Sequence, residues 1–183
     1  MARRKNTVVR YSRDYRRPPK WNMGLPPRRN RLADPRTYLS AAVVLASVGL
    51  VVLPAVADGY IALARPTSET GGSCRIYQVV DGDTVRMWCP GRGSVKARLV
   101  GFDTPELYSP QCPSEFAAAV RATWALRLAL LRAGAVRLVR EGTDRYGRAL
   151  VAAFVDGAPL ARAMIADGHA RAYAGGQRQG WCA

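Results

Sequence analysis

Four short stretches of the 183-residue chain gather residue types that can do chemistry together. They are Val80-Asp81-Gly82-Asp83-Thr84, then Arg98-Leu99-Val100-Gly101-Phe102-Asp103-Thr104-Pro105-Glu106, then Asp144-Arg145-Tyr146-Gly147-Arg148, and last Ala166-Asp167-Gly168. Carboxylates bind hard cations or accept protons, and arginine forks grip phosphate through paired donors. The chain has a single histidine, His169. Two-His zinc motifs are therefore excluded, and the neighbours of His169 carry no nucleophile signature. Catalysis would rest on carboxylates, arginines, or a metal held by oxygen. Taken singly, each stretch also has a plain structural reading: a hairpin turn, a loop-to-helix passage, a surface turn.

These residues need strands and turns to bring them together. Arg75–Val80 and Thr84–Trp88 read as strands around an Asp81-Gly82 hairpin turn. Ser94–Gly101 reads as a third strand after the Pro90–Gly93 turn. Phe102–Pro113 is a loop, stiffened by prolines and Cys112. Ser114 is expected to cap a helix with Phe116, Val120, Trp124, Leu128 and Leu131 on its core face, stopped by Gly134. Ala135–Glu141 and Arg148–Val155 are two further strands. Asp156-Gly157 then turns the chain into a short helix from Pro159 to Gly168. Five short strands with a helix after the third predict a small barrel of the OB-fold type, an α+β domain.

The four cysteines are Cys74, Cys89, Cys112 and Cys182. No CxxC pair exists, which argues against zinc. In a two-residue hairpin closed by Val80 and Thr84's neighbour Asp83, facing residue numbers sum to 163. Cys74 and Cys89 satisfy that sum and are expected to pair, provided no bulge shifts the register. Cys112 and Cys182 remain as the second pair. Kept reduced, all four would instead be small buried apolar residues.

The formal net charge is +15, and hydrophobic residues make up 49% of the chain, enough for a core. The excess charge is concentrated at the start. Residues 1–37 carry 12 Lys/Arg against Asp14 and Asp34, with five prolines, and read as a disordered basic arm. Leu39–Ala57 is an uncharged, largely apolar run of 19 residues. As a helix it spans about 28 Å, close to a membrane's hydrocarbon thickness. Residues 38–57 are thus expected to anchor the chain in a bacterial inner membrane as a single pass. The arm then stays cytoplasmic, and the rest is periplasmic or extracellular. Cleavage after Ala55-Val56-Ala57, giving a secreted domain, is the competing reading, and a buried helix of a soluble protein is a third. Residues 58–73 read as a linker and 74–183 as the folded domain.

The ordered set of four stretches resembles the staphylococcal nuclease (thermonuclease) family over about residues 75–175. The resemblance implies an OB-fold nuclease that hydrolyses DNA and RNA with little sequence preference and leaves 3′-phosphate ends. It implies Ca²⁺ held by Asp83, Asp103 and the carbonyl of Thr104, with Asp81 behind these ligands. It implies Glu106 as general base, Arg98 and Arg148 as phosphate clamps, and Tyr146 beside the nucleotide. Where the family's type member continues with a third helix, this chain has Gly175–Ala183, which the long disulfide is expected to clamp. Tyr173 lies near a base-stacking tyrosine of the family but one residue out of step, so no role is carried onto it. The contrasting reading is a membrane-anchored OB-fold nucleic-acid-binding protein without catalysis. Such a binder needs the arginines but gains nothing from carboxylates beside a polyanion.

Overall fold

The structure, a computed structural model, describes residues 35–64, 67–69 and 74–182. Nearly all of the basic arm lies outside these residues. The chain divides into two compact units, Met1–Ala46 and Ser47–Ala183. Helix α1 spans Pro35–Ala64 and passes Pro54 without interruption. The described part of the first unit is its opening turns, whose apolar side chains, Leu39, Val43 and Val44 among them, are exposed. This helix is long and apolar enough to cross a membrane.

At 30 residues α1 is about 45 Å long, well beyond one hydrocarbon thickness. Its last turns belong to the folded unit. Asp58 and Ile61 are buried, and Ile61 joins the core. The stretch expected as a linker from residue 58 is helical as far as Ala64, and Thr67–Glu69 forms a strand, β1. Burial of Ile61 and a buried ion pair hold the helical residues 58–64 in place; residues 65–66 and 70–73 of the expected linker lie outside the described residues. Asp58 Oδ1 accepts from Arg127 Nε at 3.0 Å, and its Oδ2 accepts from the Val79 N–H at 3.3 Å. Arg127 also donates to the Val79 carbonyl at 2.8 Å. Removing one member of a buried pair leaves the other charge unpaired, at about 3–5 kcal/mol. Asp58→Ala should therefore lower the urea midpoint of the detergent-solubilised full chain by that amount of stability, and Asp58→Asn by less.

The sheet is built from β1, β2 (Arg75–Val79), β3 (Thr84–Cys89), β4 (Gly93–Leu99), β6 (Val136–Thr143), β7 (Ala149–Val155) and β8 (Ala158–Pro159). Its path runs β1-β6-β7-β4-β3-β2, with β8 on β7. Strands β4 and β7 are parallel, which joins the β2-β3-β4 meander to the β6-β7 hairpin. A two-stranded sheet joins β5 (Gly101–Asp103) to β9 (Arg171–Tyr173). This is the partly open barrel of an OB-fold. Its five main strands are β2, β3, β4, β6 and β7, as expected; the short β1, β5, β8 and β9 carry too few residues to show a pattern. The core lies inside the barrel, around Val85, Met87, Leu99, Leu138 and Val151.

Strands β4 and β5 are separated only by Val100. There the chain leaves one sheet for the other, with Gly101 at φ +93°. A side chain at Gly101 would be strained by that dihedral, and its Cβ would lie 3.3 Å from the Ala161 Cβ. This corner aims the end of β5 at the β2–β3 turn.

Helix α2 spans Pro113–Arg132, and α3 spans Leu160–Ala166. The residue flanking α2 is Cys112, not Ser114, and no side chain caps it. The buried face is also not the expected one. Glu115, Ala119, Ala122, Thr123, Leu126 and Leu130 face inward, while Phe116 and Leu128 are exposed. Small residues win because the helix approaches the barrel closely. A Cβ built on Gly82 would sit 2.9 Å from the Ala122 Cβ and 2.8 Å from Thr104 Oγ1. Gly82 therefore serves this close approach as well as the turn.

Both disulfides form, Cys74–Cys89 and Cys112–Cys182. The hairpin differs from the two-residue reading. Facing numbers sum to 163 at Arg75/Trp88 and Ile76/Met87, but to 164 at Gln78/Arg86 and Val79/Val85. The turn is wider, with Val80 and Asp81 N–H both directed at the Thr84 carbonyl. A bulge at Tyr77 absorbs the extra residue and restores the register that lets Cys74 meet Cys89.

Candidate active site

The β2–β3 turn places Asp83. Its N–H donates to Asp81 Oδ1 at 3.1 Å, a local turn that faces the Asp83 carboxylate inward. The Leu99 N–H donates to the Asp83 carbonyl at 2.7 Å, which ties the turn to the end of β4. Asp83 is buried, and Thr84 Oγ1 donates to its Oδ1 at 2.8 Å. Arg98 stands opposite Thr84 in the β3–β4 register and is itself buried. Its Nη2 lies 2.7 Å from Asp83 Oδ2 and 3.0 Å from Asp103 Oδ1. Asp103 ends β5, and Thr104 follows it, buried against Gly82. Two strands and one turn thus bring Asp83 and Asp103 onto a single guanidinium nitrogen.

Glu106 comes next on the loop before α2. Its N–H donates to Glu115 Oε1 at 3.4 Å, and the Gln111 N–H donates to Glu115 Oε2 at 2.7 Å. Glu115 is buried in the first turn of α2, so this one carboxylate ties down both ends of the loop. Tyr108 Oη donates to the Val80 carbonyl at 3.2 Å, and the Cys112–Cys182 bridge closes the far end.

Arg148 sits just before β7. Its Nε donates to Asp144 Oδ2 at 2.7 Å, and its N–H to Asp144 Oδ1 at 2.9 Å. Tyr146 is exposed, with Arg145 and Arg148 over its ring at 4.8 and 5.6 Å from the centroid. Arg148 does not reach the carboxylates. It shares with Glu106 a cavity of about 1020 Å³, whose wall also includes Lys96, Arg98, Tyr146 and Arg178.

Burial, and then the neighbouring Asp81 charge, push the Asp83 carboxyl up to about 7; Arg98 offsets this only in part. Two buried carboxylates with oxygen-only donors and an excess of negative charge suit a hard cation such as calcium. The residues present therefore fit the metal that the resemblance implies. A raised carboxyl also sets a sign for stability. Between pH 4 and 7 the folded chain holds a proton that the unfolded chain has lost. Without divalent cations, stability should fall as pH rises through that window, by at most about 1.4 kcal/mol per pH unit from this group. Urea unfolding in chelator, compared with Asp83→Asn, checks the slope; the variant should flatten it.

Three residues at the site escape the motif reading: Glu115, Arg178 and Trp181. Arg178 and Trp181 belong to the C-terminal tail. Arg178 pairs with Glu106 and lies 3.0 Å from Asp103 Oδ1, while the Trp181 indole N–H reaches Asp103 Oδ2 at 3.5 Å. The expected Cys112–Cys182 pairing was the available signal, since it draws the tail to the loop beside Glu106. The sulfurs of Cys112 and Cys182 also lie near the Glu115 carboxylate, but they are bonded to one another.

A partly open OB-fold barrel thus gathers acids and arginines beside a basic, aromatic cavity. Residues 96–180 match the family model of the staphylococcal nuclease homologues. That segment holds Arg98, Asp103, Thr104, Glu106, Tyr146 and Arg148, while Asp81 and Asp83 precede it. A Haemophilus influenzae protein described as an uncharacterized endonuclease is 31% identical over 106 residues, or 58% of this chain. The match covers 55% of that relative, so the chain spans about half its length.

Proposed function

We propose that the folded unit is a Ca²⁺-dependent endonuclease of the thermonuclease type. It hydrolyses phosphodiester bonds of DNA and RNA with low sequence specificity and leaves 3′-phosphate ends. The observation that carries this reading is the convergence of Asp83, Asp103 and Arg98, with Glu106 on the wall of the cavity shared by Arg98 and Arg148.

Asp83, Asp103 and the Thr104 carbonyl would hold the cation, with Asp81 orienting Asp83 through its N–H. Calcium bound there supplies positive charge to the phosphate and polarises water. Glu106 takes a proton from the attacking water. As the water oxygen bonds to phosphorus, the bond to the 5′ oxygen breaks, and that oxygen takes a proton from solvent water on leaving. Arg98 and Arg148 donate to the phosphate oxygens, whose charge grows in the pentacoordinate transition state. Tyr146, exposed and flanked by arginines, offers a face for base stacking. A shallow barrel face of this kind favours single strands over duplex. The residues after 37 carry 16 Lys/Arg against 11 acids, so binding should weaken with salt.

The non-catalytic binding reading is disfavoured by the same cluster, because Glu106 on the cavity wall and the buried acids behind it repel a polyanion. The proposed location is a bacterial inner membrane, with residues 38–57 crossing it, the N-terminus cytoplasmic and the nuclease domain outside. Support for an anchor over a cleaved leader comes from α1. The bond after Ala57 lies inside a continuous helix, and Asp58 next to it is buried. The direct test is cleavage of single-stranded DNA and RNA by the full chain in detergent, with calcium or with chelator. Cleavage that needs calcium and yields 3′-phosphate ends is the expected result. Tight binding with no cleavage in a folded sample would leave only the binding protein.

A further inference from the structure

The tail after β9 enters the carboxylate site and is built to stay there. Gly175 and Gly176 take φ of +107° and +94°, which turn the chain back toward the barrel. Tyr173 Oη donates to the Gly176 carbonyl at 2.7 Å. Arg171 Nη1 donates to the Gly180 carbonyl at 2.9 Å, and its guanidinium lies 3.9 Å from the centroid of a Trp181 ring. Cys182 is bonded to Cys112. Between these fastenings, Arg178 projects into the acids. Its Nε is 3.0 Å from Asp103 Oδ1, its Nη2 is 4.0 Å from Asp83 Oδ2, and its Nη1 donates to Glu106.

One guanidinium therefore touches all three carboxylates that the proposed reaction uses. Arg98 cannot be the mobile cation, since it is buried within β4. Arg178 is about one-third exposed, so its side chain can swing to solvent while the tail stays fastened. Arg98 and Arg178 both lie on Asp83 Oδ2 and Asp103 Oδ1, so a divalent cation beside the fixed Arg98 meets less repulsion once Arg178 has left. Glu106 is equally unavailable as a base while Arg178 holds it.

We propose that Arg178 is the resident counter-cation of this site and sets its metal affinity: a divalent cation binds by displacing the Arg178 guanidinium from Asp103, Asp83 and Glu106. The inference rests on the reading that Asp83 and Asp103 hold the cation. Because the tail is fastened on both sides of Arg178, the guanidinium competes at high effective concentration. The observed affinity is the intrinsic affinity scaled by the fraction of molecules with the site vacated. Trp181, hydrogen-bonded to Asp103, should sense the exchange.

The experiment is calorimetric titration of the full chain in detergent with CaCl₂. Wild type, Arg178→Gln and Arg178→Lys are compared, and Asp103→Asn serves as the baseline for heat from other sites. Tryptophan emission is followed in parallel, with Trp181→Phe identifying the reporter. Arg178→Gln should bind calcium about tenfold more tightly, as expected for a site vacated in a tenth of wild-type molecules. Arg178→Lys, which keeps the charge, should stay near wild type. Calcium should change Trp181 emission in wild type. If wild type binds calcium and Arg178→Gln binds equally or more weakly, the proposal is overturned while the metal reading stands. If neither binds calcium above the Asp103→Asn baseline, the metal reading fails and takes this proposal with it.

Discussion

Glu106→Gln should lower the rate of single-stranded DNA cleavage by about 10²–10⁴-fold, the usual worth of a positioned general base. The amide keeps the size and the hydrogen-bonding oxygen of the carboxylate but cannot take a proton. The backbone of Glu106 is held independently of its side chain, through its N–H to Glu115 and the loop's bridge to the tail. The substitution should therefore leave the fold and the loop intact. Its carboxylate is half exposed, so stability should change by less than about 1 kcal/mol. The rate is measured at saturating calcium and substrate, beside thermal melting. A full loss of rate with an unchanged melting point supports the base. An unchanged rate would remove Glu106 from the mechanism and shift proton acceptance to solvent.

Arg148→Lys carries the second large effect, a loss of about 10²-fold in rate, by analogy with a lost transition-state donor. Lysine keeps the positive charge but not the planar fork, so the test separates paired hydrogen bonding from charge alone. Arg148 has two duties here, because its Nε also donates to Asp144. The Asp144 turn, however, retains the bonds from the Tyr146 and Arg148 N–H groups, which lysine preserves. A pair this close to solvent contributes little to stability. The decisive pattern is a fall in kcat with a nearly constant melting point. A fall in stability with an unchanged kcat would make Arg148 a turn-holding residue only.

The parts of this site that could be read early are those encoded by short-range patterns. Asp81-Gly82-Asp83 reads as a turn because Gly and Asp favour it, and the turn does present Asp83 inward. Asp103 and Glu106 are spaced by three residues, which suffices to bring both acids to one end of the barrel. The two disulfides followed from strand register and from what was left over, although the hairpin reaches its register through a bulge at Tyr77. Where reading failed, the cause was a partner far away in the chain. The periodicity of α2 admits several apolar stripes. The stripe through Phe116 and Leu128 has both of these exposed, and the close approach of Ala122 to Gly82 turns the face with Ala119, Ala122, Leu126 and Leu130 inward.

The amino-acid sequence by itself determined the membrane-length apolar helix, the five main strands, the pairing of the cysteines and the inventory of acids and arginines. Each rests on local spacing, composition or hairpin arithmetic, which need no knowledge of the rest of the chain. Only the tertiary structure decided three other matters. It placed Asp58 of α1 on Arg127, 69 residues away, making the end of the apolar helix part of the folded unit. It set Glu115 beneath the Glu106 loop. It also seated Arg178 among Asp83, Asp103 and Glu106, as much as 95 residues back in the chain. Charges that meet over such distances obey Coulomb's law only once the fold has brought them together, and no periodicity in the chain announces the meeting.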